Sequence, residues 1–342
     1  LKKHLLLSLS LIILKLILFF LSIFIPGVLI EKLWLKSREP FLFKLALAIG
    51  IGAALITIEL FSVFFVLKLS FNLIYFYLFL TAECALLLYL TFKNQLSFKF
   101  PALKFNLPKI NLSATIILIL ILFQLVLLGF NALARPPIAY DNLTMWQYKA
   151  KILFYENRIN FDPGAAAYLG GGGHINYPWG APLLSYWLYA NLGEFNDLAG
   201  NIINIIYYLA ILITLYYFFK KYLSVPVSLF FVWLLTTMPL IFYHAYNGYA
   251  DLILSYYLLL AFIFLFNWLE KEDIRRLIAA GIFFSCALFV NNDASVFAIA
   301  GLIIILIKLF LIDKKLTAAV KSGGLYLLAI ALPLLPWLFL KI

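Results

Sequence analysis

Residues 114–133 read ATIILILILFQLVLLGFNAL, a run of 20 residues without a charged side chain. As a helix rising about 1.5 Å per residue, such a run is long enough to cross about 30 Å of hydrocarbon. Its apolar residues are continuous and do not alternate with polar ones, which indicates a helix and not a strand of a membrane barrel. The stretch therefore predicts a transmembrane helix.

Nine further stretches of the chain have a similar character. The chain has 342 residues, of which 65% are hydrophobic and 12% are charged, and its mean hydropathy is +1.04. Soluble domains are only about 45–50% apolar, so this composition excludes a water-soluble fold. We therefore predict an all-α fold, a polytopic transmembrane helical bundle of about ten spans. The spans are predicted at residues 5–30, 41–67, 70–92, 114–133, 201–219, 225–243, 249–269, 277–290, 294–311 and 324–340.

The first stretch is predicted to be a span and not a signal peptide. It carries Lys15, is longer than a signal peptide's apolar core, and lacks a small-residue cleavage site before Glu31. The chain begins with Leu1 and ends at Ile342, directly after an apolar run. We therefore expect it to be a piece of a longer protein, truncated at its carboxy end.

The basic residues predict how the spans cross the membrane. The formal net charge is +11, but the positive residues form small clusters between spans, which is a topology signal and not a nucleic-acid patch. Placing the loops at 31–40 and 93–109 in the cytoplasm puts the long loop at 134–200 and the turns at 244–248 and 291–293 on the exoplasmic face. The basic residues that fit this assignment are Lys32, Lys36, Arg38, Lys93, Lys99, Lys104, Lys109, Lys220, Lys221, Lys271, Arg275, Arg276, Lys314, Lys315 and Lys321, whereas Lys2, Lys3 and Lys68 do not fit it.

The cysteines define neither a disulfide framework nor a metal site. Cys84 and Cys286 both lie inside predicted spans. Aspartate and histidine on the outer face are compatible with a divalent cation, but no spacing requires one. No metal ligands are therefore predicted.

Asp141 opens the long exoplasmic loop. The residues after it place Leu143, Trp146, Ala150 and Leu153 at helical spacing, which predicts an amphipathic helix on the membrane surface. Asp141 fits two compatible roles. It is suited to cap this helix, and a carboxylate held at an interface is also well placed as a general base.

Two further aspartates lie on the same predicted face. Asp251 is two residues into a span, where a carboxylate facing lipid would cost about 2–3 kcal/mol, so it should face the bundle interior or a wet cavity. Its alternative role is an acid that interacts with the helix dipole. Asp293 follows Asn291 and Asn292 in a polar turn whose composition is also common in ordinary loops.

The outer loop also carries candidate phosphate ligands. His174 follows the glycines at 170–173, but the Gly-Lys-Ser/Thr sequence of a phosphate-binding loop is absent. A lone exposed histidine usually binds neither phosphate nor metal. Arg135 and Lys149, like Lys151 and Arg158, are suited to a phosphate-bearing substrate, or to lipid head groups.

Three charged residues fall inside predicted spans. Glu59 and Glu83 lie in the second and third spans and Lys15 in the first. Charges at membrane depth are typical of transport pathways. They are equally suited to pair with one another, so this part of the sequence leaves both roles open.

The order of these elements resembles the GT-C superfamily of membrane glycosyltransferases, and most closely its protein O-mannosyltransferase and aminoarabinose-transferase branch. The shared elements are a span, a long outer loop opening with Tyr140-Asp141, a surface helix with Trp146, and Tyr177-Pro178 before an apolar helix. The resemblance covers about 114–342, the GT-C-like catalytic core, and residues 1–113 form an added amino-terminal three-span block.

The resemblance implies roles for particular residues. Asp141 corresponds to the acidic residue taken to act on the acceptor, and Tyr177 lies in the segment that corresponds to the family's Pro-rich motif. Tyr249 and Asp251 lie in Gly-Tyr-Ala-Asp at the opening of a later span. The turn at 290–294, with Asn292 and Asp293, corresponds to a turn that often reads Thr-Lys-Asn-Glu-Gly. The lysine is replaced by Asn291 here.

The resemblance also implies an activity. We expect an inverting glycosyltransferase that transfers a sugar from a polyprenyl-phosphate donor to a hydroxyl of a glycan, lipid or protein acceptor, at the outer face of the cell membrane. Arg135, Lys149 and His174 would contact the departing phosphate. The alternatives are a transporter or flippase of a lipid-linked saccharide and a non-catalytic envelope-assembly protein.

Overall fold

The computed structural model describes residues 2–36, 39–94, 111–162, 164, 165, 168 and 172–341. Within these residues the structure is helices and their connections, with no strand, which confirms the all-α prediction. The helices are α1 (Lys2–Ile30), α2 (Phe41–Phe61), α3 (Leu73–Lys93), α4 (Leu112–Ala134), α5 (Gln147–Glu156), α6 (Gly180–Leu192), α7 (Asp197–Lys220), α8 (Val225–Thr236), α9 (Pro239–Asn247), α10 (Ala250–Lys271), α11 (Ile274–Val290), α12 (Ala294–Leu306) and α13 (Leu316–Lys341). The predicted cytoplasmic Arg38, Lys99, Lys104 and Lys109 lie outside the described residues.

The described helices confirm a polytopic bundle. Eight of them, some lengthened by a π-helical last turn, are long and apolar enough to cross a membrane. The predicted span at 277–290 lies in α11, whose 17 residues extend only about 25 Å. The predicted span at 225–243 is not one straight helix, because α8 and α9 are bent by 66°. The break comes just before Pro239, which has no N–H to continue the helix and disfavours helical geometry at Met238.

Small residues bring α1 and α2 into close contact. A Cβ atom added at Gly27 would lie 1.9 Å from the Ala48 carbonyl oxygen, and one added at Gly52 would lie 1.7 Å from that of Ile23. Helices in lipid associate through such close backbone contact, since the surrounding chains are as apolar as their own side chains. The amino-terminal helices are therefore packed backbone against backbone.

Hydrogen bonds join α2 to α10 in the core. The hydroxyl groups of Tyr256 and Tyr257 donate to the carbonyls of Ala46 (2.6 Å) and Gly50 (2.9 Å). Both tyrosines are buried, so these bonds satisfy hydroxyls that have no access to water. The bonds fix the register of α2 against the helix that carries Asp251.

We expect Gly52→Ala to destabilise the protein by about 1–3 kcal/mol, because the methyl group would overlap the Ile23 carbonyl and force the two helices apart. Thermal unfolding in detergent, followed by reaction of the buried Cys286 with a thiol-reactive dye, measures the effect. The matched control is Gly129→Ala in α4, where a Cβ would meet nothing within 4 Å. Equal unfolding midpoints for the two variants would contradict the close packing.

The helix α6 is a core helix. Trp187, Leu188 and Tyr189 are wholly buried, and the Trp187 indole N–H donates to Ser22 Oγ of α1 at 2.9 Å. Its carboxy end accepts a hydrogen bond at the Leu192 carbonyl from Lys15 Nζ, at 2.5 Å. The second half of the outer loop is thus anchored in the bundle, and only its connecting segments reach the surface.

Candidate active site

Asp141 lies half-buried at the entry to a π-helical turn, Asn142–Trp146, that precedes α5. Its side chain accepts no hydrogen bond from the free N–H groups of this turn, so the structure gives no support to the capping role. The neighbouring Asn142 is buried and packs on Gly248, where an added Cβ would lie 2.3 Å from Asn142 Nδ2. The start of the loop is thereby held against the turn before α10.

Contacts from α7 and from the outer loop hold the turn between α9 and α10. Gly248 adopts a φ of +72°, a conformation that a side chain would strain. Asn204 of α7 donates through Nδ2 to the carbonyls of both His244 (3.1 Å) and Tyr249 (3.0 Å). Asn247 Oδ1 accepts from the Ile138 backbone N–H at 3.2 Å. These hydrogen bonds therefore hold the backbone of the turn against α7 and the outer loop.

An aromatic pair covers this turn. The His244 and Tyr249 rings stack with centroids 4.2 Å apart and planes 13° apart, and the Tyr243 ring lies 5.9 Å from Tyr249. Burial raises the pKa of Tyr249, and the neighbouring Tyr243 and the negative charges of Asp141 and Asp251 raise it further. The two aspartates therefore act on the same phenol.

Asp251 is also affected by the charge of the third aspartate, Asp293. The charges of His244, Asp141 and Asp293 all act on Asp251 in the first turn of α10. Asp251 is half-buried, whereas Asp293 is exposed at the start of α12. Asp141 and Asp293, which are far apart in the sequence, thus both lie within electrostatic range of Asp251, at one end of the bundle.

The segment at 172–178 closes one side of the site. Gly173 N–H donates to the Thr144 carbonyl at 2.7 Å, and the Tyr177 ring lies 5.6 Å from that of Trp146. On the other side, Asn292 Nδ2 donates to the Asn176 carbonyl at 3.0 Å. Tyr177 and Asn292 therefore lie at contacts that connect the outer loop with the turn before α12, and their predicted role in substrate binding stays a prediction. Gly170 and Gly171 of the glycine run lie outside the described residues.

Lys149 lies in the interior. Its side chain is fully buried, although sequence reasoning placed it beside phosphate or lipid head groups. Its Nζ donates to the Tyr177 carbonyl at 2.9 Å and lies 4.9 Å from the centre of the Trp179 ring. Burial lowers the pKa of Lys149 well below its usual value, to about 7. The lysine therefore holds the segment at 172–178 from its buried side, through the Tyr177 carbonyl.

The predicted amphipathic pattern of this region holds only in part. Trp146, Ala150 and Leu153 are buried as expected, but Leu143 is 46% exposed. The π-helical turn is wider than an α-helical one, so it shifts the register between Leu143 and the rest of the stripe. Lys149 lies three residues after Trp146 and four before Leu153, so it is on the same buried face of α5.

The remaining candidate cations are exposed. Arg135 follows the last residue of α4, and His174 has a positive φ of 30°. The His174 ring lies 5.6 Å from that of Tyr177. A histidine among tyrosines at a span end, such as His244, is typical of an interfacial belt, so the sequence alone does not mark it as a site residue. Its pairing with Tyr249 depends on the fold of the Gly248 turn, and no sequence spacing indicated it.

Residues 180–337, from the start of α6 into α13, match the dolichyl-phosphate-mannose-protein mannosyltransferase family. This stretch resembles a membrane mannosyltransferase. It contains His244, Tyr249, Asp251 and Asp293, whereas Asp141 precedes it. No curated protein and no solved structure matches the chain.

The membrane-embedded charges form no part of this site in the described structure. The carboxyl groups of Glu59 and Glu83 lie within electrostatic range of each other, and Lys15 is bonded instead to the Leu192 carbonyl. Within the described part of the chain, no group of three or more histidines, cysteines or acids is arranged to hold a metal ion.

Proposed function

We propose that this membrane glycosyltransferase transfers a sugar from a polyprenyl-phosphate carrier to an acceptor hydroxyl at the exoplasmic face. The supporting observation is that Asp141, from outside the family-matched stretch, lies within electrostatic range of Asp251 and Tyr249 inside it. Such a meeting of carboxylates and aromatic rings suits a sugar substrate, since the rings offer flat apolar faces and the acids accept from hydroxyls.

In the proposed reaction Asp141 acts as general base. It takes the proton of the acceptor hydroxyl while that oxygen bonds to the anomeric carbon. The bond from the anomeric carbon to the phosphate oxygen breaks, and the phosphate leaves with the electron pair. Attack from the face opposite the leaving group inverts the configuration of the anomeric carbon.

The other residues position the reactants. The exposed Arg135 and His174 are the cations suited to the leaving phosphate, and Lys149 acts on it only through the Tyr177 segment, because its Nζ is occupied there. Asp251 and Asp293 orient the sugar. A divalent cation held by the carboxylates and the phosphate would supply oxygen-ligated charge stabilisation, so the assay compares magnesium with chelator.

The test is sugar transfer by the full chain in proteoliposomes that contain a polyprenyl-phosphate-linked sugar. We expect labelled product with wild type, and a rate within about twofold for Glu59→Gln/Glu83→Gln, because neither acid is among the charges that act on Asp251. Lipid-linked saccharide crossing the bilayer without transfer, and loss of that crossing in the double variant, would instead establish the transporter.

A further inference from the structure

A cavity lies at the end of the bundle opposite the candidate active site. The helix α10 begins beside Asp251 and ends at Lys271, a rise of about 30 Å between the two residues. The helix α11 returns from Arg275 towards Asn291. Lys271 and Arg275 therefore lie about one membrane thickness away from the three aspartates.

The cavity has a volume of about 540 Å³, within the range of about 300–1,000 Å³ that is typical of small-ligand sites. Four basic residues line it: Lys36, Lys271, Arg275 and Arg276. They come from the end of the first span and from the junction of α10 and α11, so the fold assembles them from two separate parts of the chain. Two acids, Glu39 and Asp273, also line it, which leaves a net charge of 4 − 2 = +2 on these side chains.

Acids at the α10–α11 junction beside the cavity already have partners. Asp273 caps α11 by accepting from the Arg275 backbone N–H at 3.1 Å, and its other oxygen lies 3.7 Å from Arg276 Nε. Glu270 pairs with Lys221 at 2.8 Å.

The next acid along the chain, Glu272, pairs with Lys308 at 2.5 Å. Among the residues that the structure describes, Lys36, Lys271 and Arg275 make no ion pair within 4.0 Å. These three cations are available to an anion.

The cavity wall also has an apolar part. Leu35, Phe43 and Phe264 line it, and they belong to the end of the first span, the start of the second and the carboxy half of α10. A ligand there meets positive charge at the bundle end and hydrocarbon-like surface at membrane depth. A soluble anion would use only the first of these surfaces, whereas a lipid would use both.

We propose that this cavity binds the head group of an anionic phospholipid. Its phosphate accepts hydrogen bonds from the unpaired basic side chains, and the first segments of its acyl chains lie against the apolar wall. The lipid joins the end of the first span to the α10–α11 junction. This site is separate from the proposed sugar-transfer site and does not depend on it.

The test is native mass spectrometry of the purified full chain, titrated with phosphatidylglycerol, phosphatidylcholine or glycerol 3-phosphate. In Lys36→Gln/Arg275→Gln we expect phosphatidylglycerol to bind about 30-fold more weakly, since each cation near an anionic lipid contributes about 1 kcal/mol and about 1.4 kcal/mol is tenfold. The matched control, Lys314→Gln/Lys321→Gln, removes the same charge from exposed positions that do not line the cavity and is expected to stay within about threefold of wild type.

Three outcomes would overturn the proposal. Equal weakening in the two double variants would mean diffuse attraction to the basic surface. Binding of phosphatidylcholine as tight as that of phosphatidylglycerol would remove the role of the cations. Glycerol 3-phosphate binding as tightly as the lipid would assign the site to a soluble anion. Thermal unfolding of both variants establishes that each is folded before the titrations are compared.

Discussion

Asp141→Asn is expected to lower the rate of sugar transfer by about 10²–10⁴-fold, the usual contribution of a general base. Asparagine preserves the size of the side chain and its hydrogen-bonding reach but cannot take the acceptor proton. The loss is expected in kcat and in kcat/KM alike, with KM nearly unchanged, because proton transfer occurs in the transition state and not in substrate binding. Initial rates in proteoliposomes over a range of acceptor concentrations measure both constants.

The matched control for Asp141 is Glu156→Gln, which neutralises an exposed carboxylate of the same outer loop. Its nearest cation, Arg158, is 4.0 Å away, so the expected rate is close to that of wild type. Equal rates for Asp141→Asn and wild type would remove Asp141 from the mechanism. Equal losses for Asp141→Asn and Glu156→Gln would mean that net charge at the surface, and not a base, controls the rate.

The second large effect is expected on stability as a function of pH, through Lys149. Its pKa is about 7 in the folded protein and about 10.4 in an unfolded chain. Between these values the unfolded state binds a proton that the folded state does not. Stability from this group is therefore fully present above about pH 10.4 and is lost as pH falls towards 7, by about 1.4 kcal/mol per pH unit.

Thermal unfolding in detergent from pH 7 to pH 10 tests this expectation against Lys149→Met, which removes the titrating group and nearly keeps its volume. The slope of stability with pH should fall by about 1.4 kcal/mol per unit in this variant. Lys151→Met is the matched control on the same helix, because the Lys151 side chain is exposed. If stability changes with pH equally in wild type and in Lys149→Met, Lys149 stays charged in the folded protein, where the Trp179 ring stabilises it.

Much of the architecture was predictable, because transmembrane helices are determined by local sequence. A run such as 114–133 must satisfy its own backbone hydrogen bonds in lipid, which only a helix allows within one segment. The break before Pro239 was also encoded locally, since proline ends a hydrogen-bond ladder. Hydropathy averaged over a window does not register a single residue, and the bend of 66° was therefore missed.

The sequence predicted the candidate residues of the site but not their arrangement in space. The shared membrane side of Asp141, Asp251 and Asp293 is compatible with their meeting, but the distance between them depends on how α7 and the outer loop pack around Gly248. Lys149 shows the limit most clearly. Its charge favours a surface position, but it lies three residues after Trp146 and four before Leu153, so it shares the buried face of α5 with them.

The amide of Asn204 holds the carbonyls on both sides of the Gly248 turn, so the path of the main chain there does not depend on the rings of Tyr243 and Tyr249. These two side chains can consequently change without moving the backbone beneath them. Under the proposed function, substitutions at these two positions would alter sugar preference, while α7, which carries none of the proposed chemistry, keeps the framework in place.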